Sequence, residues 1–157
     1  ILSGLQIGVS TSQKCNGIKD AHSGEFDEQC AHKVIDFMPG QSEEIEKGGT
    51  LRLGSYPCSI KAGTKMEACY GASLIHERHR HRYEFNNEYR EEMERAGLVI
   101  SGTSPDGRLV EAIELPDHPF FVGVQFHPEF KSRPNQAHPL FRGFISAALR
   151  HAKGKEE

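Results

Sequence analysis

The apolar positions of this chain occur in short runs, whose spacing predicts a mixture of strands and helices. Phe120–Phe126 is a nearly continuous apolar run, which is typical of a strand buried on both faces. Leu98–Ser101 and Leu109–Leu115 predict two more strands. They are joined by the turn Ser104-Pro105-Asp106-Gly107, in which proline presets φ and glycine accepts a positive φ. Two further short strands are predicted at Thr50–Leu53 and Cys58–Lys61.

Helical spacing and helix-boundary residues predict three helices. The first runs from about Leu2 to Gly17, which would end it. The second is capped by Asn86 or Asn87 and runs through Ala96. The third starts at Pro139, and its apolar stripe, which should face a core, consists of Leu140, Phe141, Phe144, Ile145 and Ala148. Strands and helices together predict an α/β fold.

Length and charge restrict the possible partners. At 157 residues the chain is one domain or a piece of one, and its start at Ile1 without a methionine leads us to expect a fragment. The net charge of −3 provides no general attraction for nucleic acid. No run approaches the roughly 20 apolar residues of a membrane span. The four cysteines are widely spaced, which argues against a zinc ribbon and a disulfide scaffold and favours reduced thiols in the cytoplasm.

The apolar run at Phe120–Phe126 ends in His127, and a carboxylate follows at Glu129. If the backbone stays extended, residues i and i+2 point the same way. Glu129 would then hold one tautomer of the His127 ring and stabilise its charged form, which is the supporting half of a nucleophile–base–acid triad. A surface histidine followed by a turn at Pro128 is the alternative, and this segment alone leaves both open.

The most highly charged segment is Glu77–Glu84 (ERHRHRYE). In an extended backbone its three arginines share one face and its two histidines share the other. A His-x-His metal pair lacks a third ligand at recognisable spacing. The acidic balance of the chain argues against a nucleic-acid patch. Two interpretations remain: arginines in surface ion pairs, or a guanidinium that binds a small carboxylate ligand such as an amino acid.

Four segments in this order resemble the C-terminal glutaminase domain of the CTP synthase family, within the class I glutamine amidotransferases. They are Gly48–Gly54 (GGTLRLG), Glu77–Glu84, Ser101–Glu111 (SGTSPDGRLVE) and Phe121–Phe141 (FVGVQFHPEFKSRPNQAHPLF). His-Pro-Glu alone is shared by the whole class, whereas the four segments together indicate CTP synthase. The resemblance extends from about Gly17 to Arg150.

The resemblance implies roles for individual residues. In the family, a cysteine on a sharp strand-to-helix turn attacks the side-chain amide of glutamine and ammonia is released. His127 would activate the thiol and protonate the leaving ammonia, and Glu129 would orient His127. Arg82 would bind the α-carboxylate of glutamine, and Glu25 would bind its ammonium group. Arg52 would belong to a lid through which GTP activates glutamine hydrolysis.

The chain departs from the family at the nucleophile. The family's turn reads approximately I-C-L-G-M-Q, and its best match here, Ile1–Gln6, places Leu2 at the cysteine position. The neighbouring positions that would contact glutamine are Ser3, Gly4, Leu5 and Gln6. Cys15 would lie beyond the far end of the following helix. We therefore expect this chain alone to be inactive.

The resemblance also implies a fold and partners. The fold would be a three-layer α/β domain with a mainly parallel central sheet, of which the N-terminal half is absent. Its partners would be L-glutamine, GTP as effector and the synthetase domain of the same enzyme, which would be cytoplasmic and homo-oligomeric. There, ATP and Mg²⁺ activate UTP for amination to CTP, whereas this domain needs no metal or cofactor. The alternatives are a non-catalytic glutamine-binding module and, less favoured without a nucleophile, a stand-alone γ-glutamyl hydrolase.

Overall fold

The computed structural model describes residues 20–37 and 52–154. The described strands and helices, in chain order, are β1 (Ala21–Ser23), β2 (His32–Phe37), β3 (Arg52–Ile60), α1 (Lys65–Tyr70), β4 (Leu74–His81), β5 (Tyr83–Phe85), α2 (Arg90–Arg95), β6 (Val99–Thr103), β7 (Val110–Glu114), β8 (Val122–Val124) and α3 (Pro139–Lys153). The predicted helix from Leu2 to Gly17 lies outside the described residues. None of the helices in the described ranges is long and apolar enough to cross a membrane.

The described strands form two sheets. The larger has the order β4-β3-β6-β7-β8, and each neighbouring pair in it is antiparallel. The smaller has the order β1-β2-β5, with β1 parallel to β2 and β2 antiparallel to β5. The expected mainly parallel sheet is therefore not confirmed by the described strands. The reason is that β6, β7 and β8 follow one another through short loops, which reverse the chain, whereas a parallel pair needs a longer crossover.

Several predicted elements are confirmed with changed boundaries. The two short strands predicted at Thr50–Leu53 and Cys58–Lys61 are one strand, β3, in the described residues. The turn between β6 and β7 is confirmed: Gly107 N donates to Ser104 O at 2.8 Å, and Gly107 has φ of +73°. Asn86 caps its helix through the amide of Glu88, although the first turn is a 3-10 helix and α2 follows.

Two burial predictions are wrong. β8 covers only three residues, and Val122 and Val124 are half-buried, because among the described strands β8 pairs on one side only, with β7. In α3, Leu140 is buried as predicted, but Phe144 and Ile145 are each 54% exposed. The helix makes its close approach through Gly143 instead, where an added Cβ would lie 2.6 Å from Cys69 Sγ.

Two apolar clusters cover the two faces of the larger sheet. The first joins that sheet to the smaller sheet and α2, and its buried members are Ala21, Val34, Ile35, Phe85, Met93, Leu98, Ile100, Val110 and Ile113. The second joins it to α1 and α3, and its buried members are Cys58, Ile60, Met66, Ile75, Ala112, Phe126 and Leu140. The larger sheet is thus the middle layer, and the end of β8 leads from its edge to His127.

Candidate active site

His127 lies just beyond β8, where the chain leaves the larger sheet. Its backbone is extended, with φ of −110° and ψ of 93°, and it precedes a 3-10 turn at Pro128–Phe130. His127 N donates to Arg78 O on β4 at 2.8 Å, which ties the histidine backbone to that strand. The His127 ring stacks on the Phe130 ring with 5.1 Å between centroids.

The structure brings His127 and Glu129 together. His127 Nδ1 lies 2.7 Å from Glu129 Oε1. The pair forms through the 3-10 turn, not through the continued extended backbone that the sequence suggested. Burial is the largest single effect and raises the pKa of Glu129, but the hydrogen bond with His127, a backbone hydrogen bond and the His127 charge together hold the pKa below the ordinary value. An ionised Glu129 accepts a hydrogen bond from His127 Nδ1–H, which leaves Nε2 as the ring nitrogen that can accept a proton from another group.

The charged segment on β4 has the two faces predicted from its sequence. Arg78 and Arg80 are exposed, whereas His79 and His81 are buried. The rings of the two histidines are joined by a hydrogen bond of 2.8 Å between His79 Nδ1 and His81 Nε2. This segment also contains a buried carboxylate at Glu77.

The two histidines belong to a buried ion network that consists of Arg52, His79, His81, Glu84 and Glu111. Arg52 Nη1 lies 2.5 Å from Glu111 Oε1 and 3.6 Å from Glu84 Oε1. His79 Nε2 lies 3.6 Å from Glu111 Oε2, and His81 Nδ1 lies 3.6 Å from Glu84 Oε1. The network therefore links β3, β4, β5 and β7 through side chains.

Burial determines the protonation states in this network. Burial and then the Arg52 charge lower the pKa of His79 to about 3 and that of His81 to about 4, so both rings are neutral near pH 7. Burial raises the pKa of Glu84 to about 7 despite the nearby guanidinium, and it also raises the pKa of Glu111. In the described ranges, no group of three or more His, Cys, Asp or Glu side chains could hold a metal ion.

Arg52, predicted to act in a GTP lid, is buried in this network. It is 8% exposed and its guanidinium lies 4.5 Å from the centre of the Tyr56 ring. The charge is directed inward, towards Glu111 and Glu84. Its neighbours at 48–51 lie outside the described residues, so its role towards an effector stays a prediction.

The two predicted glutamine-binding charges lie at one end of the smaller sheet. Glu25 is exposed in the turn after β1, and Arg82 is exposed between β4 and β5. In the strand register, Ser23 pairs with Ile35, and Tyr83 pairs with Phe37. The end of β1 and the start of β5 therefore lie at the same end of the sheet, on opposite sides of β2. In the described part of the chain neither charge takes part in an internal ion pair.

The described residues supply no activated thiol. Burial raises the pKa of Cys58 to about 12, and burial is also the main cause of the raised pKa values of Cys30 and Cys69. The positions that match the nucleophile turn of the family lie outside the described residues; they are Leu2, Ser3, Gly4, Leu5 and Gln6. Among the described residues, the site therefore consists of the His127–Glu129 pair.

Sequence reasoning missed the buried carboxylates. Glu77 is 1% exposed and Glu111 is fully buried. Glu77 accepts from Tyr70 Oη at 3.0 Å and lies 3.2 Å from His138 Nε2. The period-two alternation that separated arginines from histidines on β4 also places Glu77 on the buried face, and this signal could have revealed it.

Comparison with known proteins identifies the family. Residues 16–147 match the sequence profile described as glutamine amidotransferase class-I. The chain belongs to the class I glutamine amidotransferases. The family assignment and the α/β fold expected from the sequence are thus confirmed, and the His127–Glu129 pair lies inside the matched region.

Within this family the chain is similar to part of several CTP synthases. It is 60% identical over 155 residues to the CTP synthase of Carboxydothermus hydrogenoformans, which covers 96% of this chain and 29% of that protein. It is also 60% identical to the CTP synthase of Rubrobacter xylanophilus over 147 residues, which covers 93% of this chain and 26% of that protein. The chain therefore spans less than a third of the length of these relatives.

A solved structure supports the same fold. The glutaminase domain of the Trypanosoma brucei CTP synthase, solved with bound acivicin, superposes with a TM-score of 0.85 at 36% identity. The match covers 93% of this chain and 57% of that one. The amidotransferase expected from sequence is confirmed at the level of fold.

Proposed function

We propose that this chain is the histidine-bearing part of the glutaminase of a glutamine-dependent CTP synthase. The observation that carries the proposal is the 2.7 Å pair between His127 Nδ1 and Glu129 Oε1. It lies in a chain that is 60% identical to a CTP synthase. The ammonia would pass to a synthetase domain, where ATP and Mg²⁺ activate UTP for amination to CTP in pyrimidine nucleotide biosynthesis. The enzyme would be a ligase, cytoplasmic and homo-oligomeric.

In this proposal His127 performs both proton transfers. Glu129 accepts a hydrogen bond from Nδ1–H, so Nε2 is the nitrogen that accepts the proton of the nucleophilic thiol. The thiolate then attacks the side-chain amide carbon of glutamine, and the Nε2 proton passes to the leaving ammonia. The imidazolium formed between these steps is stabilised by the Glu129 carboxylate. In this sequence Leu2 occupies the position of the thiol, so the chain needs that cysteine to be restored before the first step.

Glutamine binding in this proposal depends on Arg82 and Glu25. Glutamine is a zwitterion at neutral pH, so one fixed charge of each sign can orient it. Both side chains are exposed at one end of the smaller sheet, with no internal ion pair among the described residues to compete. GTP would act as an effector through the segment that includes Arg52.

A hybrid enzyme tests the proposal. In the Carboxydothermus enzyme, the residues aligned with 20–154 are replaced by those of this chain, and its own cysteine is kept. The hybrid should form CTP from glutamine, and His127→Ala should abolish that activity while CTP formation from added ammonia persists. His151→Ala, an exposed histidine near the end of α3, is the matched control and should leave both activities unchanged.

Two results would contradict the proposal. Equal loss of glutamine-dependent and ammonia-dependent activity in His127→Ala would mean that the residue serves the fold. If the hybrid hydrolyses glutamine equally well with and without His127, this histidine is not the base. If the hybrid binds glutamine but does not hydrolyse it, the alternative of a non-catalytic glutamine-binding module is favoured.

A further inference from the structure

The three residues that lead into the proposed base are each held by a different partner. Gln125, Phe126 and His127 follow β8 directly. Gln125 N donates to Glu111 O at 2.9 Å, which extends the pairing with β7 by one residue. Phe126 is 3% exposed, and its ring meets the His79 ring edge-on with 5.9 Å between centroids. His127 N donates to Arg78 O at 2.8 Å.

The side chain of Gln125 makes the one direct hydrogen bond, among the described residues, from this stretch to a carboxylate of the buried ion network. Gln125 Nε2 donates to Glu84 Oε2 at 3.0 Å. Gln125 Oε1 is buried and has no hydrogen-bond partner in the described part of the chain. Turning the amide over would direct that oxygen at the carboxylate, so a single orientation of Gln125 is favoured.

Glu84 is itself fixed in place. It is 3% exposed, and its other oxygen, Oε1, lies 3.6 Å from both Arg52 Nη1 and His81 Nδ1. A buried carboxylate beside a guanidinium has few other positions to adopt, and above about pH 7, where Glu84 is ionised, its bond to an amide N–H is stronger than a bond between two neutral groups. The position of Glu84 therefore determines where the Gln125 side-chain amide lies.

We propose that Glu84 and Gln125 form a positioning pair for His127, setting the backbone from which its ring reaches Glu129. Neither residue needs to touch glutamine. His127 is two residues from Gln125, so a shift of the Gln125 backbone moves the imidazole relative to Glu129. The 2.7 Å bond between His127 and Glu129 leaves little room for such a shift. The inference rests on the proposed function only in treating His127 as the catalytic base.

The test reads the geometry of His127 by NMR in the full 157-residue chain, so it does not depend on glutamine hydrolysis. Two signals are followed: the Nδ1 proton of His127 bonded to Glu129, and the hydrogen-exchange rate of the His127 amide bonded to Arg78 O. At pH 8, where Glu84 is mostly ionised, Gln125→Glu places a second carboxylate against it. It should remove the Nδ1 signal and accelerate amide exchange about tenfold or more, because a weakened anchor opens locally.

A reciprocal exchange separates positioning from general stability. In the double variant Gln125→Glu/Glu84→Gln, the amide at position 84 can again donate to a carboxylate at position 125. Both His127 signals should return to within about twofold of the wild-type behaviour, which is the signature of direct coupling. Gln136→Glu, the same change at an exposed glutamine, is the control and should leave both signals unchanged.

If Gln125→Glu does not fold, the same two signals are followed in Gln125→Met, because this variant keeps the length of the side chain and removes the amide. Loss of the Nδ1 signal in Gln125→Met supports the pair. The proposal is overturned if the His127 signals of a folded Gln125 variant equal those of the wild type. It is also overturned if the reciprocal exchange restores nothing, or if Gln136→Glu has the same effect. None of these results bears on whether His127 is the base, which the activity of the hybrid enzyme decides separately.

Discussion

Among single residues, Glu129 is the one whose charge most directly affects His127. In the hybrid enzyme, Glu129→Gln keeps the shape of the side chain but removes the charge that stabilises the imidazolium. A hydrogen bond to a charged group is worth about 1.5–3 kcal/mol, so the glutamine-dependent kcat should fall roughly tenfold to a hundredfold. KM for glutamine should change little, because Glu129 does not bind substrate in the proposed mechanism. Steady-state kinetics with glutamine and with ammonia check this, and a fall in the ammonia reaction would contradict it.

Arg82 and Arg78 are a matched pair for testing the glutamine clamp. Both are exposed arginines of one segment, but only Arg82 lies at the end of the smaller sheet where Glu25 lies. Arg82→Ala in the hybrid enzyme should weaken glutamine binding roughly tenfold to a hundredfold, the value of a charge-assisted hydrogen bond. Arg78→Ala should change it by less than about twofold. Calorimetric titration with glutamine measures both, and equal small effects would restore the interpretation of surface ion pairs.

At the scale of elements, β3, β4, β5 and β7 are linked by the buried ion network, and Glu84 gives this link a pH dependence. Its pKa is about 7 in the folded protein, above the ordinary value of 4.5, because burial disfavours its charge. The folded state therefore binds the proton more tightly. The contribution of Glu84 to stability is fully present below about pH 4.5 and is lost as pH rises through 7.

Glu84→Gln should therefore gain stability relative to the wild type as pH rises from 5 to 8. The gain should be up to about 3 kcal/mol, since one pKa unit corresponds to about 1.4 kcal/mol. Urea unfolding at several pH values measures the difference. His79 and His81 act in the opposite sense: with lowered pKa values, they cost stability as pH falls below about 6.5. Because both proteins contain these histidines, the difference isolates Glu84, and a constant difference across this range would contradict the prediction.

Sequence patterns predicted correctly those features that depend only on residues close together in the chain. The turn at Ser104–Gly107 and the Asn86 cap depend on a few adjacent residues, and both are observed. The alternation on β4 also follows from one strand alone. In contrast, the burial of Arg52 and Glu111 depends on strands that meet only in the folded sheet. A charge in a strand pattern indicates an exposed face unless its distant partner is known.

At the scale of the whole molecule, the thiols are distributed so that none in the described residues is activated. The thiol of Cys58 has a pKa of about 12, and the pKa values of Cys30 and Cys69 are raised. The 157-residue chain should therefore release no ammonia from glutamine above the buffer rate, with or without GTP. Ammonia release that disappears in His127→Ala would contradict this and would mean that a native thiol is the nucleophile.

Restoring the thiol tests the alignment of the first residues. In a complete glutaminase domain containing this chain, a Leu2→Cys variant should be alkylated at position 2 by a glutamine-mimicking electrophile. The thiolate there would be favoured by the start of a helix and by His127. Peptide mass mapping identifies the modified residue, with His127→Asn as the control that should slow labelling. Labelling of a native cysteine that depends on His127 would show that the nucleophile had been misplaced.

The segment from Leu74 to Phe85 passes from the larger sheet to the smaller one with only Arg82 between β4 and β5. Its residues have four separate roles. The Arg78 carbonyl accepts a hydrogen bond from the His127 amide, and the His79 and His81 side chains are buried. Arg82 is the exposed residue that we propose as a contact for glutamine, and Glu84 accepts a hydrogen bond from Gln125. Within β4, exposed arginines alternate with buried histidines, so the direction of each side chain depends on the number of residues that precede it in the strand. Removing one residue would turn arginines inward and histidines outward along the rest of β4. Such a segment tolerates substitution one position at a time but not a change of length, so in this domain insertions and deletions must accumulate elsewhere.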